Sequence, residues 1–274
     1  MPLTLSALYI YPIKSLRGIA VSSVAVTDRG LHLDRRWMLV DAAGRFMSQR
    51  QTPRMALVSV AVRDGFLGLE APGMEPLQVP LEAPEAEPVE VEVWRDRCEA
   101  RTVGASFDRW FSRFLGQDCR LVQMPDESMR PVDPIYAAHP DDHVSFADGY
   151  PFLLISQGSL DDLNRRLVER GAAPVDMIRF RPNLVVEGAE PYAEDQWKRL
   201  RIGATEFRLV KPCSRCVIPT VDLATGEKGR EPLATLTQYR RRDNKVFFGQ
   251  NLVHELPEGA APVLTVGDPV ELLG

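Results

Sequence analysis

The sequence has few of the features that mark membrane, secreted or nucleic-acid-binding proteins. No run of about 18 apolar residues occurs, so it predicts no membrane-spanning helix. Residues 1–5 lack the basic stretch and long apolar core that a secretory signal requires. The net charge of −5 gives no basis for general nucleic-acid binding. With only four cysteines and no export signal, we expect a protein of the reducing cytoplasm.

Closely spaced strand patterns are present in both halves of the chain. Residues 89–93 alternate valine with glutamate, and a turn at 95–97 leads into a returning strand. Such spacing is typical of a barrel or a sandwich. Residues 124–146 are rich in Pro, Asp and His and are interpreted as a surface connection. We therefore predict a β-rich α+β fold, with a barrel-like domain over residues 1–124 and a second β-rich domain with attached helices over 125–274.

Two helices are predicted together with their caps. Residues 107–115 form a helical pattern with aromatic residues on one side, and Ser106 is the predicted cap. Those aromatic side chains are interpreted as core packing. A second helix is predicted to begin at Ser159, because Asp162 follows three residues later and leucines recur at helical spacing.

Cys213 and Cys216 form a C-x-x-C motif on a loop bounded by Pro212 and Pro219, with Arg215 beside the second cysteine. A thiolate is a nucleophile and a soft metal ligand, and a neighbouring cation lowers its pKa. A structural zinc site needs four ligands, and the other two cysteines do not form a second pair. A redox pair is expected at a strand-to-helix junction, whereas the residues after this motif favour a strand. A third interpretation of the motif is that both cysteines are buried core thiols, although an arginine is unusual in a core.

Basic residues recur at strand ends and turns of this acidic chain. The planar fork of arginine matches pairs of phosphate oxygens, so several of these residues near one thiol would form an anion pocket. The alternative is that they are solvated surface charges. They are Lys14, Arg17, Arg35, Arg36, Arg50, Arg54, Arg179, Arg181 and Arg215.

Seven short motifs occur in order along nearly the whole chain. They are LYIYPIKS at residues 8–15, DRRW at 34–37, RQTPR at 50–54, FRPN at 180–183, CSRC at 213–216, FGQ at 248–250 and GDPV at 267–270. By these motifs the sequence resembles the MOSC family, named after the C-terminal domain of molybdenum cofactor sulfurase. The resemblance includes the companion N-terminal β-barrel domain, and within the family it is strongest to the amidoxime-reducing components and their bacterial relatives.

The resemblance implies a molybdenum–molybdopterin cofactor bound between two β-rich parts of the chain. Cys216 matches the thiolate that binds molybdenum, and Asp148 matches an acidic residue near the metal that would move a proton. The residues implied to hold the pterin and its phosphate are Lys14, Ser15, Arg35 and Arg181. Those implied to line the same site are Asn183, Ser214, Arg215 and Gln250.

The resemblance further implies a reductase of N-hydroxylated compounds such as amidoximes, hydroxylamines and N-hydroxylated bases. No plant-type C-x4-C-x2-C iron–sulfur motif occurs, so electrons are expected from a separate ferredoxin, flavoprotein or haem protein. Neither nucleic acid nor membrane is expected as a partner. The alternative function is a non-catalytic carrier of the cofactor or its sulfur.

Overall fold

Strands dominate the chain, and three α-helices are attached to them. The structure, a computed structural model, describes residues 2–82, 86–137, 139–140, 142–256 and 261–273. Within these ranges the strands are β1 Thr4–Ile10, β2 Ile19–Val21, β3 Ser23–Thr27, β4 Gly30–Leu31, β5 Trp37–Val40, β6 Ser59–Arg63, β7 Phe66–Glu70, β8 Leu77–Pro80, β9 Pro88–Val93, β10 Asp96–Thr102, β11 Arg120–Gln123, β12 Phe152–Ser156, β13 Leu184–Glu187, β14 Arg199–Ile202, β15 Thr205–Ser214, β16 Arg241–Arg242, β17 Lys245–Glu255, β18 Val263–Thr265 and β19 Val270–Leu273. The predicted β-rich α+β class is confirmed.

Helices are short and few among the described residues. The α-helices are α1 Ala105–Leu115, α2 Gln157–Glu169 and α3 Leu233–Tyr239, and the 3-10 helices are Pro53–Leu57, Met177–Phe180, Ala193–Asp195 and Ile218–Thr220. The last of these lies where the sequence favoured a strand after the cysteine motif, so that prediction is wrong. None of the helices in the described ranges is long and apolar enough to cross a membrane.

The largest sheet contains strands from both ends of the chain. Its strand order is β19-β14-β15-β17-β12-β13-β1-β2, with β16 also paired to β17. Only β12 and β13 run parallel among its described pairs, and α2 makes the crossover between them. All five residues of β12 are buried, as expected of a strand covered on both faces.

The remaining strands form three smaller sheets, in the orders β5-β11-β10-β9, β6-β7-β8 and β18-β3-β4. Strand β1 pairs with β13, and β3 pairs with β18, so the first segment of the chain is hydrogen-bonded into sheets completed by later segments. The division into domains at residues 124 and 125 stays a prediction.

Helix α1 buries the aromatic face that the sequence predicted, but it begins earlier than expected. Trp110, Phe111 and Phe114 are buried in a core shared with β6 to β8. The helix starts after Gly104, and no side chain caps it, so the prediction of Ser106 as the cap is wrong. Positive φ at Gly104 (141°) shows that the turn into the helix is made by backbone that glycine tolerates.

Helix α2 is capped by Ser156 rather than by the predicted Ser159. The Ser156 hydroxyl accepts a hydrogen bond from the Ser159 backbone N–H at 3.1 Å. The Ser159 hydroxyl instead donates to the buried carboxylate of Glu194 at 2.7 Å, and Ser156 also donates to it at 2.9 Å. The second serine therefore fixes a neighbouring loop, while the earlier one starts the helix.

The segment 124–146 is not the surface connection that its polar composition predicted. Val132, Val144 and Phe146 are buried, and Arg130 is only 2% exposed. The Arg130 guanidinium is satisfied by an aspartate and by backbone carbonyl groups, which is why a charged residue is tolerated there. Residues 138 and 141 of this segment lie outside the described residues.

Candidate functional site

A cavity of about 500 Å³ lies where the loops after β1 and β4 meet the end of β15. Nine of the ten predicted site residues line it, and Gln250 does not. The nine are Lys14, Ser15, Arg35, Asp148, Arg181, Asn183, Ser214, Arg215 and Cys216. Residues that are distant in the sequence are therefore brought to one place, which neither spacing nor composition could establish.

Three of these residues are held in left-handed backbone conformations. The φ angles are 66° at Ser15, 51° at Arg35 and 59° at Arg181. Side chains other than glycine rarely adopt this region, and such residues cluster at functional sites. The sequence predicted a strand through Arg181, whereas that residue ends the 3-10 helix Met177–Phe180. The turn is what directs its side chain to the cavity wall.

The guanidinium groups of Arg35 and Arg181 both lie close to the buried ring of Tyr11. The Arg35 guanidinium lies 4.5 Å from the ring centroid and that of Arg181 lies 4.2 Å from it. Cation–π attraction to the ring therefore offsets part of the repulsion between the two cations. Burial and the neighbouring Arg35 lower the pKa of Arg181 to about 10, which leaves it charged at neutral pH.

Further hydrogen bonds fix both arginines. Arg35 donates to Asp34 Oδ2 at 2.5 Å and to Asn183 Oδ1 at 3.1 Å. Arg181 donates to the backbone carbonyl of Leu16 at 2.6 Å. The Asn183 amide also donates to the Tyr9 carbonyl at 3.2 Å, so its polar atoms serve to hold the wall of the cavity.

Asp148 bridges two cations at the cavity. Its Oδ1 lies 2.5 Å from Lys14 Nζ and its Oδ2 lies 3.0 Å from the Arg50 guanidinium. Reduced contact with water would raise the pKa of Asp148, but Lys14 and Arg50 outweigh this and hold it well below its usual range. Burial lowers the pKa of Lys14 to about 8, which Asp148 only partly opposes. At neutral pH the carboxylate is ionised and Lys14 carries the proton.

The two cysteines of the motif have different partners. Arg215 donates from Nη1 to Cys213 Sγ at 3.1 Å and from Nη2 to the Phe180 carbonyl at 2.6 Å. Cys216 is half-buried and lies beside Arg50. Burial would lower the pKa of Arg50, whereas Asp148 and then Cys216 raise it above its ordinary value. The cation next to Cys216 is therefore Arg50, and its distant position in the sequence did not indicate this contact.

Gln250 lies behind the cavity wall rather than in it. Its side chain is buried and donates to Asp195 Oδ1 at 2.7 Å. Asp195 is in turn ion-paired with Arg240 at 2.6 Å. The resemblance placed Gln250 in the site, but its side chain supports the 3-10 helix Ala193–Asp195, so the assignment to the cavity lining is corrected.

Several further residues that line the cavity were absent from the predicted site. Arg50 stood among the candidate basic residues and within a motif, whereas Trp94, Tyr150 and Lys211 carried no chemical signal. The predicted turn began at Arg95, so nothing in the sequence indicated that Trp94 would lie in the turn. Within the described residues, no group of three or more His, Cys, Asp or Glu side chains is arranged to hold a metal ion.

Anion binding by the cofactor-free protein should depend on the protonation of Lys14. Because its pKa is lowered to about 8, Lys14 is mostly charged at pH 7 and mostly neutral at pH 9. One charge-assisted hydrogen bond is lost, so we expect sulfate to bind up to about tenfold more weakly at pH 9. Isothermal titration calorimetry in a Cys213→Ala/Cys216→Ala background excludes thiol ionisation. Lys14→Arg should remove the pH dependence, and equal wild-type affinities at both pH values would contradict the assignment.

The fold and the site define a β-rich protein with a cationic cavity that contains two partly exposed thiols, Cys213 and Cys216. Residues 2–118 match the MOSC N-terminal beta barrel domain and residues 141–271 match the MOSC domain. The chain therefore belongs to the MOSC family.

Similar proteins cover almost the whole chain. It is 38% identical to Mitochondrial amidoxime-reducing component 1 of Homo sapiens, over 99% of this chain and 83% of that protein. It is 39% identical to Mitochondrial amidoxime reducing component 2 of Rattus norvegicus, over 97% of this chain and 82% of that protein. Molybdenum cofactor sulfurase of Oryza sativa subsp. japonica is 35% identical over 92% of this chain, which corresponds to 32% of the longer protein.

Proposed function

We propose that the cavity binds a molybdenum–molybdopterin cofactor and that the protein uses it to reduce N-hydroxylated compounds. The observation that carries this proposal is a half-buried thiol, Cys216, in a cavity lined by six cationic side chains and one carboxylate. The names of the amidoxime-reducing relatives support the choice of substrate class.

The residues present fit such a group. A thiolate is a soft ligand suited to a soft metal, and the surrounding cations suit a phosphate. The Nε of Arg215 is buried and has no hydrogen-bond partner among the described residues, so one donor at the cavity is left for a ligand. Without a bound anion, the half-buried cations that line the cavity would repel one another, because the lining contains a single carboxylate.

Each residue of the chain has a specific part in this proposal. Cys216 would hold the metal, while Lys14, Ser15, Arg35 and Arg181 would bind the pterin and its phosphate. Ser214 and Arg215 would line the site, and Asn183 would keep Arg35 in place through its 3.1 Å hydrogen bond. When bound, the cofactor supplies the two-electron redox chemistry, and the protein supplies position and charge. Electrons would come from a separate ferredoxin, flavoprotein or haem protein, and we place the protein in the cytoplasm.

Reduction of an amidoxime consumes two electrons and two protons and releases an amidine and water. The resemblance suggested Asp148 as the group that moves a proton. Because Asp148 is ionised and Lys14 Nζ holds the proton, we assign proton donation to Lys14. Asp148 would stay ionised and orient the Lys14 ammonium. A group with a pKa near the working pH is well suited to this transfer.

Elemental analysis and turnover together test the proposal. Protein produced in a host that makes the cofactor should contain close to one molybdenum per chain, and with a reduced dye it should convert benzamidoxime to benzamidine. Molybdenum without turnover would favour the carrier function, which the similarity to molybdenum cofactor sulfurase makes the second candidate. Protein that contains zinc or no metal under these conditions would contradict both.

A further inference from the structure

Trp94 occupies a strained backbone position in a tight turn. Val93 pairs with Asp96, so Trp94 and Arg95 form a two-residue connection between β9 and β10. The φ angle of Trp94 is 61°. Two-residue hairpin turns place Gly, Asn or Asp at positions with positive φ. Strain of this kind in a bulky residue indicates a functional role when the side chain lies where it can contact a ligand.

The Trp94 side chain lies at the cavity and remains accessible. Trp94 is 44% exposed although its ring contacts the Phe46 ring, with centroids 4.8 Å apart. The Arg50 guanidinium lies 4.5 Å from the indole ring. Since Arg50 also contacts Cys216 and Asp148, only one side chain separates the indole from the proposed metal ligand. A substrate bound at Cys216 would therefore lie within reach of Trp94.

A second aromatic residue with a cation over its ring lines the same cavity. Lys211 Nζ lies 5.9 Å from the centroid of Tyr150 and 4.5 Å from that of Tyr136. Lys211 is exposed, whereas Lys14 is buried. The accessible part of the cavity thus combines flat rings with positive charge. Such a rim favours a flat, uncharged group over a cationic or an aliphatic one.

On the basis of the proposed function, we propose that Trp94 selects substrates that carry a flat, uncharged aromatic ring beside the N-hydroxyl group. The ring of an aryl amidoxime or of an N-hydroxylated base would pack against the exposed part of the indole. Contacts with Arg50 and Phe46 restrain the indole, so little side-chain freedom would be lost on binding. Strain at the turn would thus be retained because it directs an aromatic surface into the cavity.

The selectivity between an aryl and an aliphatic substrate measures this role. We expect Trp94→Gly to lower the ratio of kcat/KM for benzamidoxime over acetamidoxime about tenfold, because a stacking contact is removed. Glycine tolerates the positive φ of the turn, so the hairpin should be preserved. Trp94→Phe keeps an aromatic surface and should retain most of the ratio. An N-hydroxylated purine, assayed in parallel, shows whether the preferred ring is a phenyl group or a base.

Binding without turnover provides an independent readout. In molybdenum-loaded protein without reductant, calorimetry should show benzamidoxime binding about tenfold more weakly to Trp94→Gly than to the wild type. An unchanged selectivity ratio and affinity, or equal damage by Phe and Gly, would overturn the role of Trp94. If the wild type reduces neither amidoxime, the proposed function fails, and the calorimetric comparison still decides whether Trp94 binds aromatic ligands.

Discussion

Cys216→Ala protein is expected to retain about tenfold less molybdenum than the wild type, or less, and to lose about a hundredfold or more of its amidoxime reduction. Mutation of residues that only hold a metal ligand in place lowers metal affinity or activity about 10–100-fold. Removal of the ligand itself should lower them at least as much. Cys216 is half-buried, and truncation of its side chain leaves the buried cores unchanged. The unfolding temperature of the cofactor-free protein should therefore change little.

Cys213→Ala is the matched control for this prediction. Cys213 lies on the same loop and lines the same cavity, but its sulfur accepts a hydrogen bond from Arg215. Its loss should leave most of the molybdenum in place. Molybdenum content is measured by mass spectrometry on both variants, purified side by side. If Cys216→Ala kept its metal while Cys213→Ala lost it, the assignment of the two thiols would be reversed.

Alternation of side chains along an extended strand explains why Arg215 forms a hydrogen bond with Cys213. Side chains at i and i+2 of a strand share a face, whereas those at i and i+1 point to opposite faces. Strand β15 ends at Ser214, and Arg215 continues on the same side as Cys213. Adjacency in the sequence had suggested that Arg215 neighbours Cys216. The sequence predicted a loop at this motif, whereas β15 extends to Ser214, and it did not indicate that Arg50 would arrive from a distant turn.

The sequence located most of the cavity because its motifs lie at strand ends and turns. Ser15, Arg35 and Arg181 each follow or precede a strand, and their positive φ values direct them to one cavity. Short motifs identify such turns because each constrains its own backbone. The lining residue Trp94 carried no comparable signal, since its role depends on where a two-residue hairpin points in the folded chain. Gln250 lies within a motif, but its side chain donates to Asp195 behind the cavity wall and does not line the cavity.

Arg130→Met is expected to reduce the free energy of unfolding by about 3–5 kcal/mol, the usual range when one partner of a buried charged network is removed. Arg130 donates to the backbone carbonyl groups of Ser145 at 3.1 Å and of Asp148 at 3.3 Å, and also to that of Ala147. Methionine fills similar space but offers no donor, so these carbonyl groups lose a partner inside the protein. Urea unfolding at neutral pH measures the change.

Asp96→Asn separates the two kinds of contact that Arg130 makes. Asp96 accepts from Arg130 Nε at 2.8 Å, but its side chain is 46% exposed, so water compensates for the lost charge. We expect this variant to lose about 1 kcal/mol or less. A large loss in Arg130→Met and a small one in Asp96→Asn would show that Arg130 acts through the carbonyl groups of the loop that carries Asp148. Equal losses would instead assign the stability to the ion pair, and Asp148 would then be positioned by Lys14 and Arg50 alone.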